Sequence, residues 1–250
     1  MNIKRNLVLV LLSLTALWGN LAGASTRDDA TDRLQNSADV LKEIAAAPDK
    51  GIPEEVLKSS KCIVVIPHLV KAGFIVGAKH GRGVAVCRTS AGWSAPAFVS
   101  VNGGSWGLQI GAEGVDLVML VMNDSGLRHL LSSKFEITGE GSAAAGPVGR
   151  HASAGTDWKL NTELLTYSRS RGIFAGLTLE GAVVEQDADS TVAIYGNDLP
   201  FRQILLGDVT APAQAAPFLR AVAEISHQTA AQEAETKEQA PEDRKQEDQQ

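Results

Sequence analysis

The chain is short of aromatic side chains, which make up 5% of its 250 residues. That scarcity argues against a large pocket lined with rings. No Walker A sequence is present, and no G-x-G-x-x-G lies between a predicted strand and helix, so nucleotide binding has no support. No apolar run reaches the ~20 residues of a comfortable membrane span. Basic residues are also in deficit, 23 against 29 acidic, for a net charge of −6. A protein that coats nucleic acid needs the opposite balance, so that class is excluded. What is present is glycine, 24 residues against a usual share of ~7%, which points to turns and closely approaching strands. Apolar residues at 44% exclude wholesale disorder and a polytopic membrane protein.

The two ends read as separate from the fold. Lys4 and Arg5 precede a short apolar run, Leu7 to Trp18, and Ala22-Gly23-Ala24 supplies a small-residue cleavage site. This is the pattern of a signal peptide over residues 1–24, and it predicts an exported chain, periplasmic or secreted. Its removal leaves 21 basic and 29 acidic residues, a net charge of −8. The tail, residues 228–250, has seven acidic and three basic residues and no large apolar one, and is expected to be disordered. Export brings Cys62 and Cys87 into an oxidising compartment. They are a disulfide candidate, with two buried free thiols as the alternative.

Between the ends the hydrophobic period changes. Ala30, Leu34, Ala38, Leu41 and Ile44 recur at helical spacing, predicting a helix over 28–46 in an N-terminal segment 25–52. Pro53 opens a short second helix through Leu57. Cys62 to Ile66 reads as a strand stopped by Pro67. Gly73 to Val86 reads as two strands joined by a tight turn over Lys79 to Gly83. Further strands are expected at 97–101, 106–110, 116–122, 174–179 and 182–185. Asn123-Asp124-Ser125 is a helix cap, and an amphipathic helix is expected over 213–225, within C-terminal helices spanning 198–227. The fold class is α+β, with a Gly-rich, largely antiparallel sheet or barrel-like core and helices at both ends.

Two patterns mimic chemistry. Gly103-Gly104-Ser105-Trp106-Gly107 satisfies G-x-S-x-G, which as a nucleophile elbow would make Ser105 a hydrolase serine. The elbow needs a helix directly after the serine, and the recurring glycines are poor helix formers. Cys62, His68, His80 and Cys87 could hold zinc, but their spacing lacks the short ligand pairs of common zinc modules. The reading is therefore no catalytic residue, no metal, no cofactor and no enzyme.

Basic residues are locally concentrated. Lys61, Lys71, Lys79, Arg82 and Arg88 lie in a stretch, Lys58–Val101, that contains no Asp or Glu. Arg150, Arg169 and Arg171 add a second group. Together these eight form a candidate headgroup-binding set for anionic lipid.

Several ordered motifs share a resemblance. Ser142 through Arg150, Tyr167 through Gly181, Gly73 through Val84, Gly107 through Gly111 and the closing Tyr195-Gly196 resemble the SYLF lipid-binding domain family. The resemblance covers a core of residues 53–197. It implies a non-enzymatic domain that binds phosphoinositides or another anionic phospholipid at a membrane surface. Some relatives bundle actin, but export from the cytosol argues against actin here. An envelope protein-binding scaffold is the alternative. The segment 25–50 departs from the family's basic pattern, with four basic and six acidic residues.

Overall fold

The computed structural model describes residues 26–44, 52–138, 142–146, 162–170, 173–176, 179 and 181–226. The expected signal peptide, the acidic tail, Arg150 and Arg171 lie outside these described residues.

Helix α1 covers residues 26–44, and its Ala30, Leu34, Ala38, Leu41 and Ile44 are all buried, as their spacing requires. Helix α2 is Glu54–Ser59, with Pro53 as its N-cap rather than its first helical residue. Two very long strands follow. Strand β1 is Cys62–Thr89 and strand β3 is Ala97–Val121, joined through the two-residue β2, Gly92–Trp93. They pair antiparallel along nearly their whole length, from Cys62 opposite Val121 to Ala85 opposite Ala97.

Helix α3 is Asp124–Leu130, capped by the Asn123 side chain, which accepts from the Gly126 N–H at 2.9 Å. Short strands β4 (Lys134–Glu136), β5 (Ala143–Ala145), β6 (Leu164–Ser170), β7 (Ile173–Gly176) and β8 (Ala182–Gln186) complete the sheet. Strand β6 extends the sheet beside the C-terminal end of β3, and β8 pairs with its N-terminal end. Among the described residues, only β5 and β6 run parallel. Helices α4 (Ala188–Tyr195), α5 (Phe201–Leu205) and α6 (residues 216–226) follow the sheet. The result is a mixed α+β fold, a curled and mostly antiparallel half-barrel with helices at both ends.

Strand alternation divides the core between the two sheet faces. Ile63, Val65, Val84, Phe98 and Leu120 pack with Leu34, Leu41, Phe218 and Val222 of α1 and α6. Val64, Ile66, Ala85, Val99 and Met119 pack with Leu130, Phe201, Ile204 and Leu205.

Several expected boundaries are corrected. Pro67 does not end a strand. It sits with His68 in a bulge between the pairs Ile66–Leu117 and Leu69–Val115, where a residue without an N–H is tolerated. His68 takes φ 59° there. The expected turn at Lys79 to Gly83 is strand, with His80 opposite Asn102 and Gly81 opposite Val101. The three strands expected between 97 and 122 are one. Local glycines signalled breaks, but the cross-strand ladder carries the backbone through them.

The ribbon nevertheless doubles back on itself. The Arg88 N–H donates to the Lys61 carbonyl at 2.8 Å, and Cys62 and Cys87 are joined by a disulfide. A Cβ on Gly83 would overlap the Val65 carbonyl, so only glycine lets the two halves of β1 approach this closely. The β1–β3 register shifts between Gly73 and Ile75, midway between the joined Cys62 and Cys87, and this marks the bend of the ribbon.

Candidate functional site

The structure gives the six described members of the cationic set different roles. Arg169 lies opposite Asp116 in the β3–β6 ladder and grips Asp116 Oδ2 through Nε at 3.1 Å and Nη2 at 2.6 Å. Its Nη1 pairs with Glu43 of α1, and its side chain is 19% exposed. Asp116 Oδ1 accepts the His68 backbone N–H at 3.2 Å, so this cluster fastens the bulge, β6 and α1 together. Arg88 stacks over Trp93, 4.4 Å from the ring centroid, and Nε donates to the Ser60 carbonyl at 3.0 Å. Lys61 bonds Asp124 at 2.9 Å, and this bond is the main reason the Asp124 carboxyl is held below its usual range. Arg82 is exposed, with Nε 3.8 Å from Asp187 Oδ2.

Lys71 and Lys79 differ from these four. Both are half-buried and flank the ribbon bend. Burial lowers the pKa of each below the ordinary lysine value. For Lys71, its ladder partner Glu113 opposes that effect, while the charge of Lys79 adds to it. Lys79 has no ion pair among the described residues. Two partly desolvated ammonium groups thus lie near enough for the charge of one to act on the other, with Glu113 offsetting that of Lys71.

The mimicking patterns lack the geometry their chemistry needs. Ser105 pairs with Gly77 in mid-strand, and β3 continues for sixteen residues beyond it, so the strand-to-helix elbow is not formed. Cys62 and Cys87 are bonded to each other, which removes both as thiolate ligands for zinc. Among the described residues no group of three metal-ligating side chains occurs.

Sequence reasoning did not anticipate the buried pair Arg33–Asp187 or the contact of Gly146 with the Tyr167 ring, where a Cβ would overlap the ring. A charged residue inside the apolar stripe of α1 was the available signal for the first.

A family model described as "Ysc84: Las17-binding protein actin regulator" matches residues 102–225. That span holds most of β3, the Asp116–Arg169 pair, β8 and nearly all of the C-terminal helices. The chain contains a Ysc84/SYLF-family domain. Human SH3 domain-containing YSC84-like protein 1 is 32% identical over 188 residues, covering 72% of this chain and 55% of that protein. The mouse protein of the same name is 33% identical, with the same coverage. Protein YSC84 of Saccharomyces cerevisiae is 33% identical over 176 residues, 69% of this chain and 37% of its own length. The chain thus spans about half the length, or less, of these curated relatives.

The family's description corrects one expectation. Export was read as an argument against actin, yet the Ysc84 family is described as an actin regulator. A compartment inferred from a leader pattern is not a physical property of the domain's surface, so it gave no ground for excluding that partner.

Proposed function

We propose that this Ysc84/SYLF domain is a non-enzymatic lipid-binding module of the cell envelope that meets anionic phospholipid headgroups at the bend of the β1–β3 ribbon. The observation that carries the reading is the half-buried pair Lys71 and Lys79, which sits in a run without Asp or Glu from Val56 to Ala112. An anionic surface favours basic groups by about 1 kcal/mol per Lys or Arg close to it. Arg82 joins them from its exposed position, while Lys61, Arg88 and Arg169 already have partners in Asp124, Trp93 and Asp116. Arg150 and Arg171 complete the proposed set, and the leader pattern supports export to the periplasm or beyond.

Sedimentation with phosphatidylglycerol, phosphoinositide and neutral phosphatidylcholine vesicles tests the reading. Binding is expected to the anionic vesicles and to fall with salt. Equal, negligible binding to all three overturns it.

The family description supports a second reading, a scaffold that engages an actin-regulating protein or actin itself. Actin cosedimentation, and pull-down with and without residues 228–250, separates this reading from the first.

A further inference from the structure

The ribbon bend has the form of a projecting tip. Its feet touch, since a Cβ on Gly81 would lie 2.6 Å from Ile66 Cγ2 and 2.9 Å from Leu69 Cδ1. Between these feet, residues 70–80 run out and back, a reach of up to about 20 Å at ~3.3 Å per residue. Val70 is 46% exposed, and Ala72, Ala78 and His80 are exposed. Positions 74 and 76 are Phe74 and Val76, and the ladder, which shifts register between Gly73 and Ile75, sets Trp106 opposite Val76, Gly104 opposite Ala78 and Ala112 opposite Ala72. The tip is therefore built from apolar and small residues on both strands.

Charge surrounds that apolar stretch on one side of neutrality. Residues 68–82 carry Lys71, Lys79 and Arg82, and residues 101–114 carry one acid, Glu113, giving a net charge of +2 with neutral histidines. Glu113 pairs with Lys71 at the base of the tip, not at its centre. The rest of the chain is strongly acidic, so this is a local reversal. Helix α1 does not offer an alternative apolar surface, because Leu34, Leu41 and Ile44 are buried in the core and Arg33 is tied to Asp187.

Resting on the lipid reading above, we propose that the ribbon bend is the membrane-inserting element. Residues 72–78 and 104–112 enter the boundary between headgroups and acyl chains of an anionic bilayer, while Lys71 and Lys79 remain at phosphate depth. Tryptophan favours that interfacial layer, and lysine can bury its stem with its ammonium in the wet zone. Interfacial elements sink ~5–10 Å, within the reach of this bend. The positive charge around the apolar tip selects an anionic bilayer over a neutral apolar partner.

The test uses residues 25–250, the chain without its apolar leader, with Trp93 and Trp158 each changed to Phe, leaving Trp106 as the sole tryptophan. On mixing with phosphatidylglycerol vesicles carrying brominated acyl chains, Trp106 emission should shift to the blue and lose intensity. A second variant, Val76→Asp, should weaken vesicle partitioning by about tenfold or more, with its thermal midpoint checked against the parent. Unchanged Trp106 emission at vesicle concentrations that sediment the protein overturns insertion and leaves headgroup binding intact. Absence of sedimentation removes both readings. If Val76→Asp weakens capture of an envelope protein but not vesicle binding, the bend is a protein-docking element and the insertion proposal fails.

Discussion

Arg33 and Asp187, 154 residues apart in the chain, form an ion pair at 3.0 Å with their side chains only 8% and 7% exposed. Asp187 also caps α4, accepting from the Ser190 N–H at 3.1 Å and its hydroxyl at 2.8 Å. Arg33 Nη1 donates to the same hydroxyl at 2.9 Å. One buried cluster thus ties the N-terminal helix to the far end of the domain. Burial lowers the Arg33 pKa, and the Asp187 charge opposes that shift.

Breaking this pair is expected to be costly, because Asp187 stays buried with only the exposed Arg82, 3.8 Å away, to offset its charge. Arg33→Ala should lose about 3–5 kcal/mol of stability, read from the midpoint and slope of urea unfolding. A loss under ~1 kcal/mol would mean that Asp187 finds another partner or water.

The Cys62–Cys87 bridge joins the two ends of the doubled-back β1 across a separation of 25 residues. Cys62→Ser with Cys87→Ser is expected to cost about 3 kcal/mol through the greater freedom of the unfolded chain. Urea titrations of the parent with and without reductant, set against the double variant, measure this. Coincident curves for bridged and unbridged protein would contradict it.

Two ribbon glycines should respond oppositely to a methyl group. Gly83→Ala drives its Cβ into the Val65 carbonyl, a backbone atom that cannot swing aside, and should cost about 3 kcal/mol. At Gly104 the nearest atom is 3.9 Å away, so Gly104→Ala should stay within about 0.5 kcal/mol of the parent. Equal thermal midpoints for the two variants would argue against the doubled-back ribbon.

Lys71 and Lys79 give a pH dependence with a definite sign. Their folded pKa values are lowered, so between those values and the usual lysine value of 10.5 the unfolded chain binds more protons. Their contribution to stability therefore rises with pH through that window. The double variant Lys71→Met, Lys79→Met should flatten this rise in unfolding curves taken at alkaline pH. Vesicle binding should move the other way, weakening as the lysines lose charge before pH 10.5. A rise in stability unchanged by the double variant would assign it to other groups.

The helices were readable because each needs only a local repeat. Leu34, Leu41 and Ile44 announce α1, and Asn123 announces the start of α3. The strand continuity was not readable. Pro67 and Gly81 are local breaks by every short-range rule, and only the partners Asp116 and Val101 show how the ladder passes them. The cationic set was legible as residue types but not as roles. Nothing near Arg169 in sequence reveals that Asp116, 53 residues away, occupies its guanidinium. By contrast, the acid-free run around Lys71 and Lys79 was visible in the linear chain.

The sequence by itself determined the fold class, the helices at both ends, the family and the local reversal of charge within an acidic chain. Those properties follow from composition, periodicity and ordered motifs, which depend on neighbours along the chain. Only the tertiary structure decided that two glycine-interrupted segments form one long ribbon, that the ribbon doubles back to a Cys62–Cys87 bridge, and which basic residues meet partners within the fold. The physical reason is that a guanidinium or ammonium chooses between solvent and partner by the charges and burial around it. Those surroundings are brought together by folding, from positions as distant as Arg33 and Asp187.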